Sequence, residues 1–147
     1  VLLSLGYLTK HELDVALAVQ RRTERRLGEI LLAMGVITSE RLVWALGRQF
    51  GIEVWIPEMT PPHPRAIATF PSSLALQYGV FPVGVGRDDE RGFVFYVATS
   101  DPADEAARSA IISALIDQGD VVWLVASPIE INRAIRAHYR ATGVLDP

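Results

Sequence analysis

A chain of 147 residues, half of them apolar and 21% charged, has the composition of a globular domain rather than of a disordered segment. Its longest apolar runs, such as Ile30–Met34, fall far short of the roughly 18 residues that cross a bilayer, and Val1–Leu5 lacks the basic lead-in and cleavage site of a signal peptide. A net charge of −3 argues against DNA or RNA as a general partner, and zero cysteines remove disulfides and cysteine-ligated zinc, so a cytoplasmic setting without membrane insertion is the simplest expectation.

The first half of the chain repeats itself. Val1–Gln20 overlays Ile30–Gln49 without a gap, and eight of the twenty positions are identical. The identities are Leu2 with Leu31, Leu3 with Leu32, Gly6 with Gly35, Thr9 with Thr38, Leu13 with Leu42, Ala16 with Ala45, Leu17 with Leu46 and Gln20 with Gln49. Each copy reads as helix, glycine stop, short turn, helix. Leu27, Ile30, Leu31 and Met34 recur at i, i+3, i+4 and i+7 on one helical face, and Gly35 suits the left-handed position beyond a helix end. Thr9 and Glu12 have the spacing of a capping box, so a helix carrying Leu13, Leu17 and Gln20 is expected to start there. Thr38 takes the same place in the second copy, ahead of Leu42, Leu46 and Gln49.

Composition changes after Gly51. Pro57, Pro61, Pro62 and Pro64 read as an extended linker over residues 57–66. A helix over Pro71–Tyr78 is expected next, then strands Val80–Val85 and Phe93–Ala98 joined by the polar turn Arg87–Gly92. Asp101 and Pro102 predict the cap and first turn of a helix over Ala103–Gln118. Val121–Val125 is a third strand, and Ser127–Pro128 opens a last helix running to about Tyr139. The expected fold class is therefore α+β: a tandem helix-turn-helix subdomain resembling a four-helix bundle over residues 1–56, the linker, and a small αββαβα mixed-sheet subdomain over residues 67–147, its helices on one face. Trp44, Trp55 and Trp123 are expected in the core.

Catalytic signatures are absent from the sequence: it has no phosphate loop of the G-x-x-x-x-G-K-[ST] type, no H-E-x-x-H, no G-x-S-x-G and no cysteine nucleophile, so the chain reads as a non-enzyme. His11, His63 and His138 are too scattered for a local metal motif, and solvated or capping roles fit them better. Gly79, Gly84 and Gly86 read as turn and strand-end residues, and Asp88, Asp89 and Glu90 as solvated turn charges. Arg21, Arg22, Arg25 and Arg26 surround Glu24, and Lys10 is the sole lysine, so nearly all positive charge is planar guanidinium able to grip phosphate. Genomic base composition explains the same arginine bias equally well.

One constellation invites a ligand: Arg26, Leu27 and Gly28, followed by Leu31, Leu42, Leu46 and Gln49. Arginine can address a phosphate, glycine lets a ligand approach the backbone, leucines offer an apolar bed and glutamine presents both donor and acceptor to a base edge. Leucines at helical spacing also serve as core.

At these residues the chain resembles the N-terminal domain of type II secretion and type IV pilus assembly ATPases (the GspE N-terminal domain) in its MshEN form. That family carries R-L-G-x-x-L, then a leucine, then leucine and glutamine four and seven further on, twice in tandem; residues 26 to 49 match every position of one copy. "SDP" at Ser100–Pro102 and "ASPIEI" at Ala126–Ile131 extend the resemblance through the second half. The resemblance implies a regulatory module that binds cyclic di-GMP, needs no other cofactor, and passes the signal to an attached or associated effector, a secretion or pilus ATPase or a glycosyltransferase. It also implies ligand contacts from Leu2, Leu13, Leu17 and Gln20 of the first copy, whose own R-L-G would precede Val1, and from Asp101 at the matching D-P. The alternative it carries is a docking domain that recruits such an ATPase to an inner-membrane platform protein.

Overall fold

The computed structural model describes residues 6–139, which divide after Gly51 into two compact units. The first unit holds helices α1 (Lys10–Arg22), α2 (Leu27–Ala33) and α3 (Ser39–Phe50). The helix expected ahead of Gly6 lies outside the described residues. Local chemistry sets the boundaries where the sequence places them. Thr9 Oγ1 accepts from the Glu12 N–H at 3.2 Å while Glu12 Oε1 accepts from the Thr9 N–H at 2.9 Å, a complete capping box. At α3 the Thr38 hydroxyl accepts from the Arg41 N–H at 3.2 Å. Beyond α2, Gly35 adopts φ +73°, and the N–H groups of Gly35 and Val36 return to the carbonyls of Leu32 and Leu31, which closes the helix in a Schellman motif.

The second unit contains β1 (Glu53–Val54), α4 (Pro64–Thr69), α5 (Ser72–Tyr78), β2 (Val80–Asp88), β3 (Gly92–Thr99), α6 (Glu105–Ala114), β4 (Asp120–Val125) and α7 (Pro128–His138). Its mixed sheet has the order β1-β4-β3-β2, with β2 and β3 an antiparallel hairpin and β4 parallel to both β3 and β1. A single core gathers Phe81, Phe95, Val97, Ile111, Leu115 and Ile131. Trp55 stacks on Phe81 with centroids 5.7 Å apart, and Phe70 meets Phe95 edge-on.

Several expectations need correction. Residues 53–54 belong to the sheet, so the helical unit ends at Gly51 rather than at residue 56. The proline-rich stretch is not simply a linker: the His63 N–H donates to the Val83 carbonyl at 2.8 Å, at the bulge between Pro82 and Gly84, and α4 begins at Pro64. Proline is tolerated there because the first helical turn needs no N–H donor, and His63 Nδ1 caps the helix by accepting from Arg65. Asp101 does not cap α6. Asp104 does, its carboxylate accepting from the Ala107 N–H at 3.0 Å, while the Asp101 carbonyl accepts from the Asp104 N–H. Gly84 and Gly86 stand inside β2, where Gly84 pairs with Tyr96 and a Cβ on Gly86 would lie 3.4 Å from the Tyr96 ring. Among the tryptophans, Trp55 is buried and Trp123 packs against the core, but Trp44 is 46% exposed. His138 is half-buried, its ring 5.5 Å from that of Phe81.

The acidic turn behaves as read. Asp88 Oδ1 accepts from the backbone N–H of Glu90 at 2.8 Å and of Arg91 at 3.2 Å, which holds its carboxyl below the usual aspartate range.

Candidate functional site

The two copies in the first unit place equivalent residues in equivalent surroundings. Gly6 and Gly35 share φ +73°, Thr9 and Thr38 both cap helices, Leu8 and Ile37 are both buried, and so are Ala16 and Ala45. A guanidinium joins the copies: Arg41 of α3 sits over the Tyr7 ring, 5.2 Å from its centroid. No motif pointed to that pair.

Within this frame the candidate ligand residues separate into three groups. Leu31 is 0% exposed at the centre of the helical core with Leu8, Ala16, Ile30 and Ile37, and offers no surface to a ligand in this conformation. Leu13, Leu27 and Leu42 are half-buried and pack against that core. Among the described residues, Leu17 and Leu46 are half-buried without joining it; Gln20 is half-buried near the end of α1 and Gln49 exposed in the last turn of α3.

At the start of α2 the exposed Arg26 occupies the N-cap position and makes no side-chain cap bond. Gly28 is half-buried, and a Cβ there would lie 3.1 Å and 3.3 Å from the two methyl carbons of Leu42, so the missing side chain is what lets α2 and α3 meet at this point. The structure thus gathers Leu27, Gly28, Leu31 and Leu42 into one packed group. Leu2 lies outside the described residues. Asp101 belongs to the second unit, half-buried after β3, with its N–H donated to Thr99 Oγ1 at 3.1 Å.

Among the described residues no three His, Cys, Asp or Glu side chains gather as a metal site, and no helix is long and apolar enough to cross a membrane.

A family model described as the MshEN domain matches residues 50–145. The chain belongs to the MshEN domain family. Among solved structures, MshE with cdg (cyclic di-GMP) superposes with a TM-score of 0.79 at 24% identity, over 94% of this MshEN chain and 95% of the other. The N-terminal domain of XpsE superposes with a TM-score of 0.70 at 19% identity, over 92% and 88%. At these identities both likenesses describe the fold. Two relatives are nearer in sequence. Bacteriophage adsorption protein B of Escherichia coli is 33% identical over 118 residues, 76% of the MshEN chain. The type IV pilus assembly ATPase PilB of Thermus thermophilus is 30% identical over 99% of it. The chain spans only 14% and 16% of those two proteins. The family match begins at the end of α3, so residues 26–49 precede it; the alignment with the pilus ATPase takes in nearly the whole chain, helical unit included.

Proposed function

We propose that this MshEN domain is a regulatory module that binds cyclic di-GMP through its helical unit and signals to an attached effector. The observation that carries the reading is the pair of leucine and glutamine steps, Leu17–Gln20 and Leu46–Gln49. They hold equivalent places in two copies and, among the described residues, stay out of the helical core. Half-buried aliphatic side chains outside the core in a repeated pattern are suited to an elongated guest with two similar halves. The overlay with MshE, solved with cyclic di-GMP, supports that choice of guest.

In this reading Leu17 and Leu46 lie under the guanine bases, Gln20 and Gln49 address base edges, and Arg26 holds a phosphate. Leu27, Gly28 and Leu42 shape the wall, with Leu13 in the corresponding place of the first copy. The buried Leu31 supports α2 from behind, and Leu2 is its counterpart. Because the ligand touches both copies, it favours whichever arrangement brings them together, and a coupled effector responds to that shift. A secretion or pilus ATPase is the effector the relatives suggest, and the chain itself performs no chemistry in this account.

Calorimetric titration with cyclic di-GMP tests the reading. Saturable binding is expected, weakened about tenfold or more by Arg26→Ala and by Gln49→Ala, since each removes a charged or bidentate hydrogen bond. Absence of saturable heat would discard the receptor reading in favour of docking to a membrane-platform protein.

A further inference from the structure

Between Gln20 and Arg26, two of the residues assigned to the ligand, the chain turns from α1 into α2 through its most basic stretch. Four of its 14 basic residues, Arg21, Arg22, Arg25 and Arg26, fall within six positions, all of them exposed. Arg21 and Arg22 form the last turn of α1, which ends at Thr23, its N–H donated to the Gln20 carbonyl and its hydroxyl to that of Val19. Four Cα steps then lead from Arg22 to Arg26, so the two backbones lie within about 15 Å. Arg25 is partly neutralised by Glu29, 3.9 Å away, with both side chains half exposed. Over residues 21–29 four arginines outweigh Glu24 and Glu29 by two charges, and Arg21 and Arg22 are the two farthest from Glu29 in sequence.

We propose that Arg21 and Arg22 are electrostatic guides that speed capture of the cyclic dinucleotide without holding it once bound. The proposal rests on the cyclic di-GMP reading. A cyclic dinucleotide carries two phosphodiester charges, and the chain as a whole carries −3, so its distant field repels the ligand. A basic stretch beside the site reverses that sign locally. Exposed charges outside the contact surface act on association more than on dissociation, and salt screens them. For two guanidinium charges about 12 Å from a dianion, removing both slows association about fivefold at ~0.01 M salt and less than about twofold at 0.15 M.

Stopped-flow association of fluorescently labelled cyclic di-GMP with the chain, run from about 0.01 M to about 0.3 M salt, reads this directly. The double variant Arg21→Gln with Arg22→Gln is expected to slow association about fivefold at low salt, flatten the salt dependence and leave dissociation unchanged. The Arg21→Lys and Arg22→Lys pair should behave as wild type. Glu24→Gln, which removes the acidic residue inside the stretch, should speed association at low salt; a merely structural role for the arginines at the end of α1 predicts no such gain. Unchanged association in the glutamine pair, or a rise in its dissociation rate instead, would overturn the guide role while wild-type binding and its loss in Arg26→Ala keep the receptor reading. Should wild type itself fail to bind, both readings fall together.

Discussion

Gly28 of α2 turns its bare Cα toward the isopropyl group of Leu42 in α3, close enough that an added Cβ would sit 3.1 Å from Leu42 Cδ2. Alanine at 28 gains about 1 kcal/mol of helix propensity but presses on a side chain whose methyl ends can yield by a few tenths of an ångström, so its net effect stays within about 1 kcal/mol. Valine adds bulk beyond that contact and should cost about 1–3 kcal/mol in urea denaturation. Leu42→Ala in the same chain should relieve part of the cost, and a double-mutant cycle should give a coupling of about 0.5–3 kcal/mol. Additive effects would show that the two residues do not meet. Any loss of ligand binding in Gly28→Val therefore has to be read against its loss of packing.

Leu31 and Leu46 lie on the same kind of apolar stripe but in different surroundings. Leu31→Ala, in a fully buried site, should cost about 2–5 kcal/mol of stability. Leu46→Ala, half-buried outside the core cluster of the described residues, should cost roughly half of that or less. Equal costs, measured by urea denaturation, would place Leu46 in the core and remove it from the ligand surface.

The helix caps predict both a stability change and a pH signature. Thr38→Ala removes the acceptor for the Arg41 N–H and should cost about 1 kcal/mol. At α1, the Thr9 N–H first and its hydroxyl second hold the Glu12 carboxyl below the ordinary glutamate range. A carboxyl with a depressed folded pKa stabilises the fold fully above the unfolded value of about 4.3, and that contribution disappears as pH falls through the lower folded value. Titration of the Glu12 carboxyl by NMR should show the low midpoint, and Thr9→Ala, which removes the hydroxyl but keeps the N–H, should raise it only part of the way.

Gly119 closes the crossover from α6 to β4 against the backbone of β3. A Cβ there would lie 2.5 Å from the Phe93 carbonyl oxygen and 3.0 Å from its carbon, and neither atom can move without shifting the sheet. Gly119→Ala should therefore destabilise the second unit by at least about 2 kcal/mol, seen as a lower thermal midpoint. A midpoint equal to that of wild type would contradict this close approach.

What could be read from the sequence was whatever rests on contacts between near neighbours. The threonine caps, the Gly35 stop and the Ser127–Pro128 start are such cases, because each is decided within a few residues. Glu53–Val54 has no periodicity to detect, since two residues become a strand only by pairing with Leu124 and Val125 across the sheet. Pro64 disguised α4, because proline breaks a helix in its interior yet suits its first turn. Two aspartates three residues apart competed for the start of α6, and the choice of Asp104 depended on where β3 releases the chain. For the candidate site, the motif supplied the residues but not their burial: Leu31, Leu42 and Leu46 look alike in sequence, and only packing of α2 on its neighbours separates the sealed leucine from the half-open one. Trp44 misleads for the same reason, since a tryptophan's burial depends on the face of α3 it occupies.

In the receptor reading Leu17 and Leu46 form one apolar bed for a single dinucleotide. Methyl NMR of leucine-labelled protein titrated with cyclic di-GMP tests it most directly. Both leucines should shift together along one saturation curve and show cross-peaks to the guanine H8 protons, while the Leu31 methyls move less. Saturation of the ligand with the Leu17 and Leu46 methyls unmoved would contradict it.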